Sequence, residues 1–140
     1  MKGTKPRLVI DNDAVSTVPR APSWFSKDAA AEWRRIMPAL VARRILTKAD
    51  LGCVENYCCA IGAAREAERH IQEHGQIYEA HKEMADGRII SLGMKRNPSV
   101  GIQKEAMQAA RQYAAELGLT PVSRSRPSIR DESDEDDLLS

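Results

Sequence analysis

Hydrophobic positions in the first half of the chain follow helical spacing in two stretches. Trp33, Ile36 and Leu40 recur every three or four residues after Ser26, a good N-cap, and predict a first helix that ends near Arg43. A second apolar series begins after Thr47 and runs to the stop signal Gly75, which predicts a helix of about 27 residues. Its apolar positions are Leu51, Val54, Cys58, Ile61, Ala64, Ala67 and Ile71.

The pattern then changes between residues 76 and 92. Asp86-Gly87 is flanked by β-forming residues and predicts a tight β-hairpin turn, because this dipeptide accepts positive backbone angles. Asn97-Pro98 restarts a helix, with Asn as cap and Pro in the first turn, and Gly118 ends it after Leu117. We therefore expect a mainly α fold: a helix-turn-helix-like helical hairpin, a third long helix and a small β-hairpin.

The third helix carries two adjoining apolar stripes, a face too wide for one partner helix. It is therefore either sandwiched within the monomer or in contact with a neighbouring chain. An ordered part of under about 100 residues also leaves much apolar surface exposed in a monomer, which favours a homo-oligomer. The expected interface residues are Ile102, Ala106, Met107, Ala110, Tyr113, Ala114 and Leu117.

Composition divides the chain into three parts. Residues 1–23 contain Pro6, Pro19 and Pro22 and little periodicity, and predict a disordered basic arm. Residues 24–122 form the predicted helical domain for DNA binding and oligomerisation. Residues 123–140 are predicted to be a flexible tail, acidic from residue 131.

The formal net charge of +1 conceals a strong asymmetry. Residues 1–50 carry +5, residues 51–90 carry −3, residues 91–130 carry +5 and residues 131–140 carry −6. Two basic blocks indicate a polyanionic partner, whereas the alternative is a set of solvated or intersubunit charges. The candidate DNA contacts are Lys2, Lys5, Arg7, Arg34, Arg35, Arg43, Arg44, Lys48, Lys95, Arg96, Arg124 and Arg126.

Direct reading of DNA bases by the second helix is one possibility. Its first turns offer only Lys48 and Asn56 as donors, however, so a plain helical hairpin is the favoured interpretation.

The most enzyme-like motif is His70-Ile71-Gln72-Glu73-His74, which fits the H-x-x-E-H pattern of zinc peptidases. The motif adjoins the helix stop, and a catalytic zinc needs a third protein ligand and a cleft. Cys53, Cys58 and Cys59 lack the paired spacing of structural zinc sites and are expected to be reduced, small buried residues. We expect no catalytic residues, no metal and no cofactor.

Four stretches together resemble the small terminase subunit of tailed double-stranded DNA bacteriophages and prophages: "MKGTKP", "PSWFSKDAAAEWRRIMPALVARRILTKAD", "RNPSV" and "AAELGLTPVSRSR". The resemblance implies a non-catalytic protein that assembles into a homo-oligomeric ring. Such subunits bind viral DNA near the packaging start, and recruit and stimulate the large terminase subunit, which holds the ATPase and nuclease. Since the sequence has no apolar run of about 20 residues and no signal-peptide pattern, we expect the protein in the host cell cytoplasm and not in a membrane.

The acidic tail ends in Asp136, Asp137, Leu138 and Leu139. These residues are candidates for docking on the large subunit, with the acids steering and the leucines anchoring. The tail could instead cover the chain's own basic blocks or simply keep the protein in solution. Rival functions are a helix-turn-helix transcriptional regulator, a phage structural or adaptor protein and, less favoured, the zinc-dependent peptidase.

Overall fold

The computed structural model describes residues 13–125, and the predictions for residues 1–12 and 126–140 lie outside that range. The elements are α1 (Lys27–Ala42), a 3₁₀ turn (Lys48–Asp50), α2 (Leu51–His74), β1 (Ile77–Glu83), β2 (Ile89–Arg96), α3 (Pro98–Glu116) and α4 (Pro121–Ser125). The predicted fold class is confirmed: the chain is mainly helical with one small antiparallel hairpin.

Both ends of the helical hairpin form for local reasons. The Ser26 hydroxyl caps α1 by accepting from the backbone N–H of Ala29 at 3.2 Å. At the start of α2, the Asp50 carboxylate accepts from both the backbone N–H and the hydroxyl of Thr47, at 2.8 and 2.9 Å. Thr47 and Asp50 together form a capping box at the start of the 3₁₀ turn. The 3₁₀ turn and α2 together span the stretch predicted as one helix.

Helix α2 is central, and α1 packs antiparallel along one side of it. Asp28, at the start of α1, pairs with Arg69 near the end of α2. The two backbones approach closely at Gly62, where an added Cβ would lie 3.0 Å from the Ser26 hydroxyl and 3.1 Å from the backbone nitrogen of Ala29. This close approach explains why a glycine occupies a helix interior, where it otherwise disfavours helix formation.

A buried carboxylate lies at the centre of this α1–α2 contact. Glu32 is 0% exposed and accepts a hydrogen bond from the Tyr57 hydroxyl at 2.9 Å and two from the Arg35 guanidinium. Arg65 of α2 lies 3.8 Å away. Burial alone would raise the pKa of Glu32, but the hydrogen bonds from Arg35 and Tyr57 outweigh it and hold that pKa below its usual value. Burial and the contact with Glu32 also raise the pKa of Tyr57 to about 12.

Helix α3 packs antiparallel along α2 as well. Gln103, near its start, donates to Glu68 of α2, and Glu116, at its end, accepts from the Cys53 thiol at 3.6 Å. Burial, reinforced by Glu116, raises the pKa of that thiol. The core continues from α1 through α2 to Ala110 of α3 and to Leu117, the residue that directly follows α3.

Asn97 fastens the junction between the hairpin and the helices. It is 0% exposed, donates from its amide to the carbonyl of Gly75 at 2.8 Å and lies 3.1 Å from Nδ1 of His70. Its side-chain oxygen accepts from the backbone N–H of Ser99 at 2.9 Å and so caps α3. One side chain therefore joins the end of α2 to the start of α3.

The hairpin pairs Ile77 with Arg96 at its base and Glu83 with Ile89 at its tip. Its register shifts between Ala80 and His81, where Leu92 is the extra residue of the opposite strand. All residues of β2 are exposed, and β1 is nearly as open. No helix packs along either strand in the part of the chain that the structure covers.

Part of the sequence assigned to the basic arm packs onto the domain. The backbone N–H of Val15 donates to the carbonyl of Leu46 at 2.8 Å, and the indole N–H of Trp33 donates to the carbonyl of Pro19 at 2.9 Å. Val15 and Ala21 also pack against the core. These contacts place residues 14–22 on the helical domain. The Pro19 carbonyl supplies the acceptor that the buried indole N–H of Trp33 needs. Sequence patterning alone does not reveal that acceptor.

The Gly62 contact predicts opposite effects for two glycines of α2. Gly62→Ala should lower the free energy of unfolding by about 1–2 kcal/mol, because overpacking outweighs the gain in helix propensity. Gly52→Ala is the matched control: no atom lies within 4 Å of its added Cβ, so it should raise stability by about 0.5–1 kcal/mol. Urea denaturation followed by circular dichroism measures both. Equal effects of the two substitutions would contradict the close approach.

The ionised carboxylate of Glu32 should make a pH-dependent contribution to the free energy of unfolding. Because its pKa is lower in the folded chain than the usual 4.5, the contribution is present above that value and is lost as the pH falls through the folded-state pKa. Glu32→Gln should therefore lower the free energy of unfolding at pH 7 by about 2 kcal/mol, and this difference from the wild type should shrink below pH 4.5. Glu105→Gln, at an exposed position of α3, is the control and should show little effect. A deficit that is as large at pH 3 as at pH 7, on the order of 2 kcal/mol in both, would rule out the assigned ionisation.

Candidate nucleic-acid interface

Four described candidate cations lie at one end of the helical domain, which we call the turn end. It comprises residues 43–50, between α1 and α2, and residues 117–125, after α3. Arg43, Arg44 and Lys48 belong to the first segment and Arg124 to the second. The antiparallel packing of α1 and α3 on α2 brings the two segments together, as the contact between Arg43 and Gly118 shows.

Arg43 and Arg44 differ in their surroundings although they are neighbours in sequence. The Arg43 guanidinium is half-buried and donates to the carbonyl of Gly118 at 2.8 Å, so it ties the end of α3 to the turn. Arg44 is exposed, and its φ of 53° places it in the left-handed region that a non-glycine residue rarely adopts. Arg43 therefore has a structural role, whereas Arg44 presents its charge to solvent.

Lys48 and Arg124 complete the turn end. Lys48 is exposed in the 3₁₀ turn, and Asn56, the other proposed base-reading donor, is exposed one turn or more into α2. Arg124 is exposed in α4, with a long contact of 3.4 Å to the carbonyl of Leu119. Helix α4 is positioned by Thr120 and Ser123, whose hydroxyl and backbone groups bond reciprocally.

Both described chain ends also lie at the turn end. Ala14 pairs with Thr47 in an isolated antiparallel bridge, so the basic segment that precedes it is attached beside the turn. At the other terminus, α4 ends at Ser125, directly before Arg126 and the acidic tail. Lys2, Lys5, Arg7 and Arg126 themselves lie outside the described residues. Sequence reasoning missed this convergence, because it arises from tertiary packing and no local motif encodes it.

The two candidate DNA contacts on α1 also differ: one is exposed to solvent and the other is bonded within the chain. Arg34 is exposed. Arg35 donates to the buried Glu32 carboxylate, and this hydrogen bond raises its pKa further above the usual range. The side chain of Arg35 remains 64% exposed, but its guanidinium is engaged within the chain.

Lys95 and Arg96 lie at the opposite end of α2. They are the last two residues of β2, next to Asn97 and the end of α2. Helix α2 has 24 residues, which corresponds to a length of about 36 Å. The structure therefore separates the second basic block: Arg124 joins the turn end, whereas Lys95 and Arg96 lie at the base of the hairpin.

The candidate interface residues of α3 fall into three groups. Ala106, Ala110 and Leu117 are buried against the chain's own core, and Tyr113 and Ala114 are half-buried beside them. Ile102 and Met107 remain exposed, at 51% and 53%. At 100° per residue they flank the buried seam on opposite sides. Packing within the monomer thus accounts for much of the wide apolar face, and contact with another chain stays a prediction.

The H-x-x-E-H motif lies at the exposed end of α2. The rings of His70 and His74 lie 4.3 Å apart, and His70 faces Asn97. No group of three or more His, Cys, Asp or Glu side chains in residues 13–125 is arranged to hold a metal ion. Cys58 is buried, and burial raises the pKa of its thiol to about 12, which makes it a poor nucleophile.

No helix within residues 13–125 combines the length and the apolar character that a membrane span needs.

Comparison with known proteins identifies a family for this chain. The family model for the phage terminase small subunit matches residues 29–134, which includes all but the first two residues of α1, the whole of α2 and α3, and the hairpin. Searches of curated proteins and of solved structures found no significant match. Because the family model covers well over half of the chain, this protein belongs to the phage terminase small subunit family.

Proposed function

We propose that this chain is a non-catalytic DNA-binding subunit that recognises double-stranded viral DNA at the start of genome packaging, in the cytoplasm of the host cell. The family match supports the packaging role. The single observation that favours DNA as the partner is that the exposed cations Arg44, Lys48 and Arg124 lie together at the turn end, where both described chain ends also lie.

Phosphate attraction is the physical basis of this binding. Arg44, Lys48 and Arg124 are exposed at one end of a rigid helical domain, where each can approach a phosphate and release condensed counterions. A few charges in one subunit bind weakly. We propose that a homo-oligomeric ring repeats the turn end and so combines these charges into a stronger field.

Recruitment and stimulation of the large terminase subunit form the second part of the proposal. The acidic segment of residues 131–140 begins shortly after α4, and Asp136, Asp137, Leu138 and Leu139 are its candidate docking residues. An acidic peptide with terminal leucines suits a basic groove with an apolar pocket. In this arrangement the ATPase and nuclease chemistry belongs to the large subunit.

Removing charge at the turn end should weaken DNA binding without loss of fold. Arg44→Ala/Lys48→Ala should reduce affinity for duplex DNA at low salt by roughly tenfold, similarly across sequences, and should lower the slope of log K against log salt by about 1 for each lost phosphate contact. Arg43 is left intact because it also bonds to Gly118. Fluorescence anisotropy over a salt series measures both quantities.

The matched control is Lys104→Ala/Arg111→Ala. It removes the same charge from exposed positions of α3 and should leave the slope unchanged. If the two double variants lose affinity equally, net charge rather than the turn end governs binding.

Deletion of residues 131–140 should abolish stimulation of the large subunit's ATPase, because it removes the acidic docking segment. Leu138→Ala/Leu139→Ala and Asp136→Asn/Asp137→Asn separate the anchoring from the steering contribution. DNA affinity of the truncated chain, measured in parallel, shows that the fold is intact. Full stimulation by the truncated chain would eliminate the tail as the docking segment.

A further inference from the structure

The β-hairpin lacks the packing that would stabilise it within one chain. All residues of β2 are exposed, and in β1 only Tyr78 and Ala80 are half-buried. An isolated two-stranded hairpin is marginally stable in water, even when its turn is favourable. The fixed junction at Asn97 orients the hairpin but covers neither of its sides.

Apolar side chains occupy both sides of the hairpin. Cross-strand partners share a side, so Ile77, Met94 and Ile89 lie on one side, at 60%, 65% and 70% exposure. Ile90 lies on the other side together with Tyr78. Pairing of hairpins along their edges would extend each of these apolar sides into a larger one, on which side chains of neighbouring copies lie beside one another.

The two open edges of the hairpin carry opposite charge. In β1, Glu79 and Glu83 outnumber the one cation, Lys82. In β2, Lys95 and Arg96 are present and acids are absent. Each edge also has a row of backbone donors and acceptors that faces outwards, a template for pairing with another strand.

We propose that the hairpin is the contact between neighbouring copies of this chain, with the β1 edge of one copy beside the β2 edge of the next. The inference rests on the proposed function only for the statement that copies associate. Edges of opposite net charge favour this head-to-tail arrangement over a two-fold contact, which would pair β1 with β1 or β2 with β2 and so bring together edges of the same net charge. Head-to-tail contacts close into rings when the rotation permits.

The arrangement is also consistent with strand direction. Copies related by rotation about a ring axis present all hairpins in the same orientation, so β1 of one copy runs antiparallel to β2 of the next. The irregularity at Leu92 and the positive φ of Gly93, 84°, increase the local twist of β2, which a sheet that closes on itself requires.

Cross-linking between two variants tests the orientation. One chain carries Glu79→Cys in β1 and the other carries Met94→Cys in β2; both positions lie on the same side of the hairpin and are exposed. Each variant alone, an equimolar mixture after subunit exchange, and the wild type with its native cysteines are oxidised so that disulfides can form, which requires Cα atoms within about 7 Å, and are resolved on a non-reducing denaturing gel. Circular dichroism checks that each variant is folded.

A covalent dimer that is gained in the mixture, above the level in either variant alone and in the wild type, is the expected result. A dimer of equal yield in the Glu79→Cys or the Met94→Cys sample alone would overturn the head-to-tail arrangement. If either variant fails to fold, Glu83→Cys and Ile89→Cys, partners at the tip of the hairpin, replace the pair.

Native mass spectrometry of the same samples separates this inference from the proposed function. Oligomers that bind DNA but give no cross-linked dimer would overturn the hairpin contact and leave the packaging role intact. A chain that stays monomeric would overturn both the ring and the hairpin contact.

Discussion

The fold depends on one buried ionic contact between α1 and α2. The Glu32 carboxylate is fully buried, and it is held ionised by hydrogen bonds from Arg35 and Tyr57. A buried charge without such partners would strongly destabilise the fold. The contact therefore fixes the register of the two helices, together with the close backbone approach at Gly62. Every other element is positioned from α2: α3 along its length, the hairpin at its end and the turn end at its start.

This arrangement separates two surfaces along α2. At its start lie exposed cations, both described chain ends and the short helix α4. At its end lies a hairpin with exposed apolar side chains and edges of opposite charge. The two surfaces suit different partners, a polyanion at one end and another copy of the chain at the other. A rigid helix between them would let the proposed DNA binding and the proposed assembly occur without competing for the same residues.

Sequence patterning predicts most of the fold because its signals are local. Ser26, Thr47, Asn97 and Gly75 mark helix ends, and the structure places helix boundaries beside each of them. Contacts between residues that are distant in the sequence could not be predicted in this way. Glu32 looks like an ordinary surface residue until α2 supplies Tyr57, and Arg43 resembles Arg44 until Gly118 accepts its hydrogen bond. In α3, the apolar pattern alone could not predict which residues pack inside the monomer and which, like Ile102 and Met107, remain exposed.

Hydrogen–deuterium exchange on the full chain tests most directly whether DNA binding and assembly use opposite ends of α2. The account predicts that duplex DNA slows exchange of backbone amides in residues 43–50, and that raising protein concentration without DNA slows exchange in residues 77–96. Protection of residues 77–96 by DNA, with residues 43–50 unchanged, would contradict it.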